Sequence, residues 1–186
     1  MIKTLLRYPG GKAKAIKVLN EYFPKKIDEI REPFAGGASV GLFLKQKHPK
    51  AQLWLNDLYF NLYNFWLNTR DKPEEMTVKL LAGLKQTSGD ESALRALFEA
   101  SKMALALPAH PTITPLQKAV YFFYLNRCSY AGLTEAGGFS KTAALTRFTK
   151  SSIDKLALLV PVLHGSQITN LDYSVLLQEV PLGKDT

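Results

Sequence analysis

The sequence predicts an α/β fold: a doubly wound parallel sheet interrupted by a mainly helical insert. Three observations carry that expectation. Residues 27–57 run as strand, tight turn, helix and strand, the opening of such a sheet. Residues 74–127 then take on a helical period. Residues 167–172 return to strand character.

Taken in order, Ile16, Leu19, Tyr22 and Phe23 share one face of a helix over 13–23, which Pro24 ends. A short strand over 27–34 ends in Phe34. The small residues Ala35 to Ser39 turn the chain into a helix from Val40 to about Lys47. Leu53 and Leu55 alternate with Gln52 and Trp54, giving a second strand over 51–57. Tyr59 to Asn68 is aromatic-rich and helical. Two helices follow, 74–86 and 91–106, broken at Ser88-Gly89-Asp90. Leu94, Leu97, Phe98 and Ser101 mark the buried face of the second. Leu107 to Pro115 holds three prolines and reads as a loop. Leu116 to Arg127 is a helix with an aromatic middle, Tyr121 to Tyr124. Residues 128–150, with Gly132, Gly137 and Gly138, read as loop. Ser151 or Ser152 then caps a helix to about Leu163, with Asp154 in its first turn. The expected organisation is a domain of residues 1–68 plus 165–186 and a helical insert of residues 69–164.

The 186 residues suit one domain with an inserted subdomain, and 46% are hydrophobic, enough for a sizeable core. The formal charge of +8 points to an anionic partner such as nucleic acid, or to solubility alone. Residues 1–50 carry eleven Lys and Arg against four Asp and Glu. Cys128 is the single cysteine, so no internal disulfide can form, which fits a cytoplasmic protein. It reads as a small apolar filler. His48, His110 and His164 lack metal-ligand spacing, so no metal is expected. No apolar run is long enough to span a bilayer, and no secretory signal follows Lys3 and Arg7.

Two short stretches carry the chemistry. In Glu32-Pro33-Phe34-Ala35-Gly36-Gly37-Ala38-Ser39, the glycines allow a sharp turn and close approach of a ligand to the backbone. A helix N-terminus beyond offers free amides. Asp57, at the end of the next strand, is placed to accept hydrogen bonds from both hydroxyls of a ribose. The plain alternative is an ordinary glycine turn and a capping Asp. No third glycine completes a dinucleotide fingerprint, which favours S-adenosylmethionine over NAD. In Arg7-Tyr8-Pro9-Gly10-Gly11-Lys12, the ammonium of Lys12 suits the cofactor carboxylate and Tyr8 offers a flat face. Here the alternative is a surface turn. A P-loop is excluded because neither Ser nor Thr follows Lys12.

Together with Asn56-Asp57, these motifs resemble the Dam-type (D12 class) adenine-specific DNA methyltransferases. Residues 125–139, Leu-Asn-Arg-Cys-Ser-Tyr-Ala-Gly-Leu-Thr-Glu-Ala-Gly-Gly-Phe, are similar to a segment of that family's DNA-recognition insert. Asn170-Leu171-Asp172-Tyr173 is similar to its next motif, in the family's alpha order. The resemblance implies a Rossmann-like S-adenosylmethionine-dependent methyltransferase sheet with a DNA-recognition insert. It implies methylation of adenine N6 in double-stranded DNA. Tyr8, Gly10, Gly11, Lys12, Phe34, Ala35, Gly36, Gly37, Asp57 and Asp172 would form the cofactor site. Asn126, Arg127 and Tyr130 would face DNA, with Tyr130 wedging into the base stack. Ala131 stands where some relatives carry Asn, so the recognised sequence need not be GATC.

One departure matters. The family's Asp-Pro-Pro-Tyr motif, which holds the flipped adenine, does not occur in these residues. The resemblance implies its strand soon after Val180-Pro181-Leu182-Gly183, and the expectation is a chain cut short of it, with little or no methyl transfer unless a C-terminal segment complements it. No catalytic residue can therefore be named. A non-catalytic module that binds cofactor or DNA is the alternative, and an RNA methyltransferase is a third reading.

Overall fold

The computed structural model describes residues 2–106 and 112–178. Three short strands, β1 (Glu29–Glu32), β2 (Gln52–Asn56) and β3 (Gln167–Thr169), form a parallel sheet in the order β1-β2-β3. Ile30 lies opposite Leu53, and Leu55 opposite Ile168. The rest of the described chain is mostly helical: α1 (Ile16–Leu19), α2 (Ser39–Lys47), α3 (Phe60–Asp71), α4 (Pro73–Thr87), α5 (Glu91–Ala106), α6 (Pro115–Cys128), α7 (Lys141–Arg147), α8 (Lys150–Asp154), α9 (Leu156–Leu163) and α10 (Tyr173–Gln178).

Central strand β2 departs from strict alternation. Leu53, Trp54, Leu55 and Asn56 are all buried. Trp54 is kept inside by Arg31, whose guanidinium lies 5.1 Å from its ring, and by Thr169 Oγ1, which accepts its indole N–H at 2.7 Å. A residue with one polar atom can be buried once that atom is bonded.

Helix α6 organises the insert. Thr114 caps it through a reciprocal box with Gln117, and Pro115 opens its first turn. Its aromatic middle packs on α3: Phe65 meets Phe122 at 5.6 Å and stacks parallel to Phe123 at 6.0 Å. One apolar cluster runs from Ile30, Leu53 and Leu55 through Phe65 to Phe122, Phe123 and Phe98. The sheet and the insert thus share a core, and the expected boundary at residue 68 falls inside α3.

Three expectations are corrected. The helix over 13–23 is a 3-10 turn, Lys12–Lys14, followed by the single turn of α1, and neither buries a residue. Tyr22 stays 79% exposed, so no packing surface holds a longer helix together. Residues 128–150 are not all loop: they hold two 3-10 turns, Tyr130–Gly132 and Thr134–Ala136, and α7, capped by Ser140 Oγ. The cap before α8 is Thr149, with Ser152 as its reciprocal partner, and Asp154 closes α8. Residues 107–111 of the proline loop, and the segment Val180 to Gly183, lie outside the described residues.

Candidate functional site

The site forms where β1 and β2 end. After β1 the chain turns through Ala35 to Ala38, and Ala35 N–H donates to Asn56 O at 2.8 Å. Gly36 has φ +49°, and its N–H donates to Asp57 Oδ2 at 2.8 Å. The other oxygen of Asp57 accepts Tyr59 N–H at 3.0 Å. Trp66 Nε1 donates to Gly36 O at 2.9 Å from beneath. The carboxylate therefore fixes the glycine turn against the start of α3. Glycine is required at 36 because a Cβ there would lie 2.9 Å from Tyr8 Cε1, in a left-handed backbone.

Tyr8 brings the first motif onto the second. A cavity of about 170 Å³ is lined by Tyr8, Lys12, Glu32, Phe34 and Ser39, together with backbone at Gly10, Gly11, Ala35, Gly36 and Gly37. The Tyr8 phenol is pushed above its usual pKa by burial and then by the charge of Asp57. Lys12 is exposed and donates to Gly10 O at 2.7 Å. Phe34, 71% exposed, packs on Tyr173 with ring centres 5.3 Å apart. Asp172 sits just before α10 and accepts from Ser174 N–H at 2.9 Å and Ser174 Oγ at 2.5 Å, the hydroxyl contact chiefly holding its pKa below the carboxylate norm. Its carboxylate caps α10 rather than lining the cavity.

Three residues of this region stand in the motifs but were given no role from sequence: Glu32, Ser39 and Asn56. Glu32 lines the cavity, and its Oε2 is buried without a hydrogen-bond partner. Burial raises its carboxyl to about 7, partly offset by the amides of Gly41 and Val40. Ser39 Oγ in the same wall is also buried and unpartnered. Asn56, fully buried, ties the strand ends together: Nδ2 donates to Pro33 O at 3.0 Å and Leu171 O at 2.9 Å, while Oδ1 accepts from Thr169 Oγ1 and Leu171 N–H. The signal was an Asn closing a buried strand, where an amide must find partners on neighbouring strands.

The three residues expected to face DNA part company. Tyr130 is 72% exposed. Asn126 is 0% exposed; its Oδ1 accepts Arg7 N–H at 3.0 Å, and Nδ2 donates to Arg7 O at 2.8 Å and Gly132 O at 3.2 Å. Arg127 is buried, donates to Leu5 O, and lies over the ring of Phe123 at 4.9 Å. Burial and the neighbouring charge of Arg7 lower its pKa to about 10. Both side chains point into the protein because α6 is covered there by residues 5–7. On the other flank Glu135 accepts from Asn61 Nδ2 at 2.6 Å and from the Tyr59 hydroxyl, docking the loop after α6 onto α3.

Cys128 is buried, and burial pushes its thiol up to about 12, which keeps it from acting as a nucleophile at neutral pH. Among the described residues, no helix is long and apolar enough to cross a membrane, and no group of three His, Cys, Asp or Glu side chains is arranged to hold a metal ion.

An α/β framework with a glycine turn and an acid at the next strand end is an arrangement suited to a nucleoside-bearing ligand. The model of the D12 class N6 adenine-specific DNA methyltransferases matches residues 8–177, and the chain belongs to that family of enzymes. The match spans both the sheet and the insert. No curated protein matches the chain.

Proposed function

We propose that the chain binds S-adenosylmethionine against the Gly36 turn, on a Rossmann-like sheet, and directs its methyl group to N6 of adenine in duplex DNA. The observation that carries this reading is the meeting of Tyr8, Gly36 and Asp57, which lie far apart in sequence. The residues present suit the cofactor. Glu32 and Ser39 line the cavity, and the Glu32 carboxylate, set against the amides of Gly41 and Val40 at the start of α2, supplies a negative charge for an ammonium group. Lys12 supplies a cation for a carboxylate. Asp57 retains lone pairs for ribose hydroxyls beside the turn it fixes. The cofactor supplies an electrophilic methyl group on a sulfonium.

In this reading residues 1–68 and 165–186 hold the cofactor and residues 69–164 meet the DNA. Tyr130 enters the space left by a target base taken out of the stack. Asp172 acts through α10, presenting Tyr173 to Phe34 at the mouth of the cavity. A second reading, that these 186 residues bind cofactor and DNA without methyl transfer unless a further segment complements them, is favoured by the lack of Asp-Pro-Pro-Tyr among them.

Two measurements test the proposal. Calorimetric titration with S-adenosylhomocysteine should show Asp57→Ala binding about tenfold or more weakly, through loss of a charge-assisted contact, and Gly36→Val at least as weakly, because its side chain displaces Tyr8; unchanged affinity removes both from the site. Labelled S-adenosylmethionine offered with mixed-sequence duplex DNA, and separately with RNA, should label adenine in the DNA. Binding without labelling selects the second reading.

A further inference from the structure

We propose that Asn126 is a positioning residue for the cofactor pocket: by gripping the backbone of Arg7 it sets Tyr8 across the Gly36 turn. The inference rests on the cofactor reading above and deepens it. Asn126 lies on α6 beside the apolar Phe122, Phe123 and Cys128, where an apolar side chain would pack without needing partners. Burying an amide is favourable only when its polar atoms are satisfied. All three of its side-chain bonds go to two loops and none to its own helix: two to Arg7, 119 residues away, and one to Gly132, which closes the turn carrying Tyr130.

The two loops are also pressed together. Gly132 has φ +78°, and a Cβ there would lie 2.2 Å from Arg7 O. Arg7 Nη1 donates to Ser129 O at 3.1 Å. Arg7 is thus held by its N–H, its carbonyl and its side chain, which anchors the backbone leading into Tyr8 where its ring lies against Gly36. Asn126 touches no ligand space itself; its effect passes through Tyr8. The same bonds join one wall of the cofactor cavity to the loop that presents Tyr130.

The test is a double-mutant cycle on the full chain, read by S-adenosylhomocysteine affinity with the melting temperature of each unliganded variant measured alongside. Asn126→Ala should weaken binding about tenfold, Tyr8→Ala by a similar factor, and the double variant no more than Tyr8→Ala alone. Additive losses, or unchanged binding in Asn126→Ala, overturn the inference. A second measurement needs no variant. Saturation of the unmodified protein with S-adenosylhomocysteine should slow amide hydrogen exchange in residues 5–8 and 129–132 together. Protection of 5–8 alone overturns it even if the Asn126 variant does not fold. Failure of the unmodified chain to bind S-adenosylhomocysteine at all sinks the cofactor reading and this inference with it. Binding accompanied by additive variants sinks only this one.

Discussion

Glu32 shows what a single buried carboxyl does to the molecule. Its carboxyl titrates near 4.5 in an unfolded chain and at about 7 in the fold. Between those values the folded state holds more protons than the unfolded one, so stability falls as pH rises from about 4.5 to 7 and levels off above. Glu32→Gln should remove that slope and raise the unfolding free energy at pH 8 by on the order of 1–3 kcal/mol, with little change at pH 4. Urea denaturation at the two pH values checks it, and an equal effect at both would mean that the carboxyl is not desolvated. S-adenosylhomocysteine affinity should move the opposite way, since the glutamine cannot neutralise an ammonium. Ala131 is a second residue out of its preferred state, with φ +51° on an exposed loop. Ala131→Asn, which tolerates the left-handed region, should stabilise by roughly 0.5 kcal/mol, read as a small rise in melting temperature. At this scale sequence reading was uneven. The meeting of Tyr8, Gly36 and Asp57 was legible from the order of their motifs. Asn126 was not, because the same amide serves a DNA base or a buried backbone, and only the packing of residues 5–7 over α6 decides between them.

At the scale of elements, the site depends on where strands stop. Asn56 holds the ends of β1, β2 and β3 in register by four side-chain hydrogen bonds. Removing it leaves two carbonyls, a hydroxyl and an amide without their partner. Asn56→Ala should therefore cost about 2–4 kcal/mol in denaturant unfolding and loosen Asp57 beside it. A loss below about 0.5 kcal/mol would show that water replaces the amide freely. The long helices α4 and α5 were readable from their period, since each buries one face, whereas α6 is buried on every side from Phe122 to Cys128 and was readable from its aromatic run. Helix α7 was missed because its seven residues, Lys141–Arg147, carry mainly small or polar side chains and its boundaries rest on Ser140 rather than on an apolar stripe. By alternation Trp54 falls with Gln52, on the side opposite Leu53 and Leu55. It is buried because Arg31 and Thr169 close over it, a fact of strand neighbours that no local pattern contains.

For the whole molecule, the excess of eight positive charges sets how it meets DNA. Each phosphate neutralised releases bound counterions, so affinity for mixed-sequence duplex should fall at least tenfold between about 50 and 200 mM salt. Fluorescence anisotropy across that range checks it, and a flat response would remove the basic surface from DNA binding. The domain plan read from sequence separated sheet from insert, yet Phe65, Phe122 and Phe123 weld them into one core. The contact of Gly132 with Arg7 carries that weld to the working end of the molecule. Exchange of residues 129–139 for those of another enzyme cannot be a simple cassette swap. A graft that brings any side chain at 132 would push the amino-terminal segment aside, so any chimera must inherit the glycine and its asparagine as a set.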